Sequence, residues 1–291
     1  MKSIYILFLI ILTASCNTES SSVTTSANQK EDPVIAKGKL FIIGGGKRPK
    51  ELVQELIHIS KLDKEHYAVI LPMASQEPDS AIFYARKQFT DLGIKATQVK
   101  GFNFKKGEEQ STWIEIIKKA GLIYIPGGDQ TRFMNSIINT PLYTAVHEAY
   151  QNGATIAGTS AGAAIMGDKM ITGIEHKHPE YTGDFKTIEA DNIEITKGMG
   201  FLKNTIIDQH FIKRMRMNRL ISTALENPYQ IAIGIDESTA IVVEGKQVRV
   251  VGVSQVIILK NPNNTIEKHN GLLGGDHLEL SVKLPGSTFG L

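Results

Sequence analysis

Thr155-Ile156-Ala157-Gly158-Thr159-Ser160-Ala161-Gly162-Ala163-Ala164-Ile165-Met166 is the stretch on which the reading of this chain turns. A short apolar run ends in Gly-Thr-Ser-Ala-Gly, and small and apolar helix formers follow. That is the pattern of a buried strand, a tight turn and a helix start, with a serine at the tip of the turn. Glycines on either side of Ser160 permit the cramped backbone that thrusts a side chain out between strand and helix. There the serine oxygen is exposed, and the free N–H groups of the helix start, such as that of Ala161, point towards a developing oxyanion. The same residues also describe a plain βα turn with an N-cap serine. The rest of the chain has to decide between the two.

Upstream, the pattern alternates. Lys39 to Ile43 is an apolar strand that runs into Gly44-Gly45-Gly46, and Leu52, Leu56 and Ile59 recur at helical spacing after it. A second strand is expected over 67–71, a helix over 82–92, a third strand over 94–99, a helix carrying Trp113, Ile116 and Ile117, and a strand over 122–125 that meets Pro126-Gly127-Gly128. Short apolar strands separated by amphipathic helices imply a three-layer α/β/α arrangement with a mostly parallel sheet covered on both faces. Sites in such sheets form at the carboxyl ends of the strands, where these glycine turns and the serine turn fall. The triple glycine lacks the spacing of a dinucleotide-binding loop and reads as a strand-terminating turn.

Downstream, residues 174–192 are polar and loop-like, and hold Glu175, His176, His178, Glu180 and Asp184. Without regular spacing on a helix, these read as a solvated loop, with no metal site. Thr205 to Phe211 is a strand with a polar end, and Arg214, Arg216 and Arg219 follow on an expected helix that ends near Leu225. The apolar segments 231–235, 240–243, 248–253 and 256–259 form a β-rich finish to the same domain, with turns at 261–264 and 271–275.

With 291 residues, 42% of them hydrophobic, and a net charge of +2, the chain has the bulk for one large α/β domain. Nothing in that composition attracts nucleic acid. Lys2, the apolar run from Ile4 to Leu12, and Leu12-Thr13-Ala14-Ser15-Cys16 resemble a bacterial lipoprotein signal with its lipobox. Cys16 is the only cysteine, which excludes an internal disulfide and makes it the candidate for lipidation. The expected organisation is a signal peptide over 1–16, a polar tether over 17–36 and a catalytic domain over 37–291, lipid-anchored in the bacterial cell envelope.

A serine nucleophile needs a base, and the base needs an orienting partner. His58, His66 and His147 lie on expected helices or their ends, and His176, His178 and His269 lie in polar stretches. His277 occupies the late position of an α/β-hydrolase histidine, whereas His210 stands at a strand's carboxyl end; spacing favours His210 and leaves His277 open.

Pro126-Gly127-Gly128-Asp129-Gln130, Gly158-Thr159-Ser160-Ala161-Gly162-Ala163 and, above all, Asp208-Gln209-His210-Phe211 with Arg214, Arg216 and Arg219 resemble the cyanophycinase family. Gly234-Ile235-Asp236-Glu237-Ser238-Thr239-Ala240 is similar to a further segment of it, and the resemblance runs from about Lys37 to about Lys260. These are serine exopeptidases related to aspartyl dipeptidases, on a fold like class I glutamine amidotransferases (flavodoxin-like). They release β-aspartyl-arginine dipeptides from cyanophycin.

The resemblance implies Ser160 as nucleophile, His210 as base and the N–H groups of Gly128 and Ala161 as oxyanion donors. It also implies Gln130, Asp208, Gln209, Arg214, Arg216 and Arg219 around the substrate. Arginines would clamp substrate carboxylates, and Asp208 would pair with a substrate guanidinium. No cofactor or metal is implied, and a homodimer is. The family places its triad acid between the serine and the Asp-Gln-His-Phe block. This chain has a longer segment there, and Glu175, soonest after the 170–173 strand end, is the expected acid, with Glu180, Asp184 and Glu189 as alternatives. An α-aspartyl or isoaspartyl dipeptidase and a non-catalytic peptide-binding lipoprotein are the rival readings. A glutamine amidotransferase is disfavoured because the turn carries serine.

Overall fold

The computed structural model describes residues 36–64, 66–108, 110–180 and 187–291. The expected signal peptide, Cys16, the expected tether up to residue 35 and Asp184 lie outside them.

In chain order the first half contains β1 (Lys39–Ile43), α1 (Lys50–Ile59), β2 (Ala68–Ile70), α2 (Pro78–Thr90), β3 (Val99–Gly101), α3 (Ser111–Lys118) and β4 (Leu122–Ile125). Then come α4 (Gln130–Ile137), α5 (Pro141–Gln151), β5 (Thr155–Thr159), the single turn α6 (Ala161–Ala164) and the hairpin β6 (Lys169–Glu175) and β7 (Ile193–Lys197). The remainder holds β8 (Thr205–Gln209), α7 (Met217–Glu226), β9 (Ile231–Ile235), β10 (Thr239–Glu244), β11 (Gln247–Gly252) and β12 (Val256–Lys260). β13 (Glu267–His269), β14 (Leu272–Gly274), β15 (Glu279–Lys283) and β16 (Thr288–Gly290) end it.

The main sheet runs β16-β11-β10-β1-β5-β4-β2-β3. β1, β5, β4, β2 and β3 pair parallel, and β10, β11 and β16 add an antiparallel flank. Strand alternation sorts its side chains into two cores. Phe41, Ile43, Tyr124 and Ala157 face one way and pack under α1 and α2 with Leu52, Leu56 and Phe89. Leu40, Ile42, Ile123 and Ile156 face the other way, against Phe133, Ile137 and Val146 of α4 and α5. This is the expected α/β/α sandwich.

The sandwich carries one addition. A second sheet, ordered β15-β12-β9-β8, places Ile207, Ile233, Ile235, Val256 and Ile258 in the same core as α4 and α5. Its outer face is covered by α7, through Phe211, Leu220, Ala224, Ile257 and Leu259.

Several boundaries depart from the sequence reading. The third strand is 99–101, because 96–98 form a 3₁₀ turn. The segment 271–275, expected as a turn, is largely the strand β14 (Leu272–Gly274) of a small hairpin with β13, with the turn at 270–271. Arg214 and Arg216 precede α7, and only Arg219 lies on it.

Candidate active site

The two sheets meet at their carboxyl ends. His210, directly after β8, donates its backbone N–H to the Gly44 carbonyl after β1 at 2.7 Å, and Ser160, directly after β5, donates its own to the Ile43 carbonyl at 3.1 Å. Phe211 N–H bonds the Ile235 carbonyl at 3.3 Å, which brings the turn after β9 alongside. Four strand ends from two sheets therefore converge on one spot.

Ser160 sits at φ 54°, ψ −111°, a conformation sparsely populated by side chains that costs about 1–3 kcal/mol. The surrounding contacts hold it there. A Cβ on Gly158 would stand 2.0 Å from the Gly162 carbonyl oxygen, so only glycine lets strand and helix approach so closely.

The strained turn aims Ser160 Oγ at His210, with Oγ–H donating to Nε2 at 2.8 Å, while Nδ1–H donates to Glu237 Oε1 at 2.7 Å. The triple glycine after β1 forms the wall behind this line: a Cβ on Gly45 would lie 2.3 Å from the imidazole, and one on Gly46 would lie 2.6 Å from Glu237 Oε2. Ser238 locks the same turn, donating its N–H to Gly45 O at 2.9 Å and its hydroxyl to Lys47 O at 2.7 Å. Asp236 holds the other side, accepting from Lys213 N–H at 2.9 Å and Ser254 Oγ at 2.7 Å.

Burial pushes the His210 imidazole below its usual pKa. The Glu237 carboxylate opposes that shift, and the Arg214 and Arg216 charges add to it. The ring is thus held neutral, the form that accepts a proton from serine.

The acid on His210 is Glu237, and the three expected candidates among the described residues stand elsewhere. Glu175 ends β6 and accepts from Asn192 Nδ2 at 2.9 Å, tying the hairpin closed. Glu189 accepts from His178 and Thr187, Glu180 is exposed, and Asp184 lies outside the described residues. His277 makes no contact with Ser160; the hydroxyl belongs to His210. The signal for Glu237 was present in the chain: an acidic residue just past the carboxyl end of the buried strand 231–235 obeys the same strand-end rule that singled out His210.

The Pro126-Gly127-Gly128 turn after β4 lies over the serine, where a Cβ on Gly127 would be 3.2 Å from Ser160 Cβ. The N–H groups of Gly128 and Ala161 have no backbone acceptor among the described residues. Asp129 caps α4 by accepting from Arg132 N–H at 3.0 Å. Gln130 donates Nε2 to the carbonyls of Ile171 and Thr172 at 2.9 and 2.6 Å, so its amide pins β6 to α4.

Asp208 is fully buried, and its carboxylate accepts from both Arg219 Nε, at 2.8 Å, and Arg219 Nη2. Arg216 stands 3.6 Å from the same carboxylate and donates to the backbone and side-chain oxygens of Gln209. This hydrogen-bonded cluster of one carboxylate and two guanidiniums braces the β8–α7 connection. The expectation that Asp208 meets a substrate guanidinium is therefore corrected, because its charge is spent on Arg219. Of the three arginines, Arg214 is the exposed one, and its N–H donates to the His210 carbonyl at 2.9 Å.

Comparisons with known proteins agree with this arrangement. Residues 40–251 match peptidase family S51. A cyanophycinase of Geminocystis herdmanii is 29% identical over 252 residues, covering 84% of this chain and 88% of that protein. A cyanophycinase of Trichormus variabilis is 31% identical over 218 residues, covering 73% and 70%. The crystal structure of a peptidase from an acI-B1 Actinobacterium superposes with a TM-score of 0.65 at 25% identity, over 88% of this chain and 98% of that one. The likeness read from the motifs is thus borne out across most of the chain, which belongs to peptidase family S51 and is a serine-type peptidase.

Proposed function

We propose that this chain is a cyanophycinase-like exopeptidase that releases β-aspartyl-arginine dipeptides, leaving their isopeptide bond intact, through an acyl-enzyme on Ser160. The observation that carries the reading is the unbroken hydrogen-bonded line from Ser160 through His210 to Glu237. Ser160 Oγ attacks the carbonyl of the backbone peptide bond that joins the terminal β-aspartyl-arginine unit to its neighbour while His210 Nε2 takes its proton, and Glu237 steadies the imidazolium. The N–H groups of Gly128 and Ala161 receive the oxyanion. Collapse breaks the C–N bond, and His210 Nε2–H protonates the leaving amine. Water, deprotonated by the same nitrogen, then cleaves the ester and regenerates the serine. Every step uses side chains and amides of the chain itself.

Likeness to cyanophycinases over most of their length supports the substrate class. Exposed and next to the histidine, Arg214 is assigned to a substrate carboxylate. Gln130, Asp208, Gln209, Arg216 and Arg219 act behind it as a rigid wall. We further propose lipid anchoring in the cell envelope through Cys16, supported by the charged start, apolar run and small residues ahead of it. A Cys16→Ser variant that still partitions with membranes would remove that part.

The test of substrate is product analysis after incubation with purified cyanophycin. Soluble Asp-Arg dipeptide from the wild type, absent with Ser160→Ala, is the expected result. No product from the polymer, with hydrolysis of short α-aspartyl or isoaspartyl peptides, would replace this substrate by the dipeptidase one.

A further inference from the structure

The end of the main sheet opposite the catalytic line carries a charge pattern that the reaction does not use. Lys39 starts β1 in register with Thr155, which starts β5, while Ile43 and Thr159 end the same strands beside Ser160. At a rise of about 3.3 Å per residue, the two ends lie about 15 Å apart. Around the strand starts opens a cleft of about 560 Å³, lined by Lys37, Lys39, Lys61, Lys118 and Lys119, with no Asp or Glu among its described lining residues.

Two of these lysines are held: Lys39 by Glu244, and Lys118 by Glu115 and Glu148. Lys37, Lys61 and Lys119 are exposed and have no ion-pair partner among the described residues. Asp63 and Lys64, exposed on the same turn as Lys61, offset one another in charge. Cations just past the ends of α1 and α3 complement the negative ends of those helices, which accounts for Lys61 and Lys119. It does not account for Lys37 and Lys39, which belong to no helix. Three unpaired cations around one cleft make an anion-attracting surface.

The point at which the chain enters the domain says which anion. The described domain starts at residue 36, so the polar segment that follows Cys16 joins it beside Lys37, on the rim of the cleft. We infer that this lysine face docks on the anionic phospholipid headgroups of the membrane that holds the anchor, with Ser160 and His210 turned away from the bilayer. The inference rests on the lipid anchoring through Cys16 proposed above. A segment of about 20 residues holds the domain within about 70 Å of a lipid on Cys16 however it is arranged, so docking becomes an intramolecular step. An anionic bilayer surface favours each nearby lysine by about fivefold, and three free ones favour contact by about 10²-fold. Docked in this way, the catalytic end of the sheet stays open to a polymeric substrate.

The experiment is fluorescence energy transfer to headgroup-labelled acceptor lipid, using the lipidated protein purified from bacterial membranes and reconstituted in vesicles. The donor is placed on Gln151→Cys, exposed at the end of α5 where its carbonyl meets Lys37 N–H, or on Val253→Cys, 67% exposed just past β11 at the catalytic end. Because Cys16 carries the lipid, each introduced cysteine is the only free thiol. On phosphatidylcholine vesicles containing phosphatidylglycerol at low salt, transfer from position 151 is expected to exceed transfer from position 253. The difference is expected to shrink on phosphatidylcholine alone and at high salt. Lys37→Gln, Lys61→Gln and Lys119→Gln together are expected to lower the docked population about 10²-fold, with circular dichroism and peptide hydrolysis unchanged. Transfer indifferent to lipid charge, salt and the triple variant, or greater from position 253 than from 151, would overturn the proposal. Salt-sensitive binding of inorganic polyphosphate with no difference between the two lipid compositions would also overturn it, and would assign the face to a soluble polyanion. Intact mass of the same protein tests the anchor separately. If Cys16 carries no lipid, anchoring fails and the face is judged by vesicle flotation of that protein: lysine-dependent enrichment on anionic over neutral vesicles upholds it, and none overturns it.

Discussion

Among the described residues, two histidine–carboxylate pairs have nearly equal geometry and unequal consequence. His178 meets Glu189 at 2.5 Å, and His210 meets Glu237 at 2.7 Å. His178 is 52% exposed in a polar loop, and its carboxylate is shared with Thr187, which with His178 holds the Glu189 carboxyl below its usual range. His210 is 10% exposed and stands at a strand end, with its second nitrogen on a serine that the backbone has strained into place. Contact between imidazole and carboxylate is thus the cheap part. The expensive part is the convergence of four strand ends, which leaves a neutral ring with a nucleophile on one side and an acid on the other.

Ser160→Ala breaks the comparison most severely: hydrolysis is expected to fall by on the order of 10⁴- to 10⁶-fold, with the thermal unfolding midpoint retained, as measured by product release and calorimetry. Glu237→Gln is expected to lower kcat by about 10²- to 10⁴-fold, because the imidazolium loses its counter-charge. Glu175→Gln and Glu189→Gln should each stay within about twofold of the wild type, as expected of polar side chains far from the reacting atoms. Equal losses for Glu175→Gln and Glu237→Gln would erase the distinction between the two acids.

The pH profile sharpens it. The rate needs neutral His210, and burial lowers its pKa, so the acid limb of kcat/KM should fall below the usual imidazole value of about 6.5. Glu237 is the group raising that pKa, so Glu237→Gln should move the limb to still lower pH while lowering the plateau. A limb moving to higher pH would contradict the assignment.

Behind the site, Asp208→Ala strands the buried guanidinium of Arg219 and is expected to destabilise the fold by about 3–5 kcal/mol, read by denaturant unfolding. Arg214→Ala, exposed, should leave stability alone and raise KM by about tenfold. A reversal of these two outcomes would return Asp208 to the substrate and Arg214 to the scaffold.

Much of this was legible in the chain. The apolar run into Gly158-Thr159-Ser160-Ala161-Gly162 marks a strand, a turn and a nucleophile because each step follows from local backbone sterics. His210 was legible for the same reason, as a polar residue at the end of an apolar strand. Glu237 was not legible as the acid because the family resemblance implies an acid between the serine and the Asp-Gln-His-Phe block, although Glu237 lies just past Ile231–Ile235 much as His210 follows Thr205–Gln209. The fate of Asp208, Arg216 and Arg219 was not legible. Their partnership depends on how closely α7 folds back on β8, and a strand-end carboxylate looks the same in sequence whether it faces substrate or guanidinium. The triple glycine was read correctly as a turn, but its service as the wall behind His210 and Glu237 is a contact between segments far apart in the chain.

The most direct measurement is the rate and site of labelling by a serine-directed phosphonate, followed by intact-protein and peptide mass spectrometry. It needs no knowledge of the natural substrate. One adduct on Ser160 is expected, formed at least about 100-fold more slowly in Glu237→Gln and at the wild-type rate in Glu175→Gln. An adduct elsewhere, or labelling slowed by Glu175→Gln and untouched by Glu237→Gln, would contradict the Ser160–His210–Glu237 site.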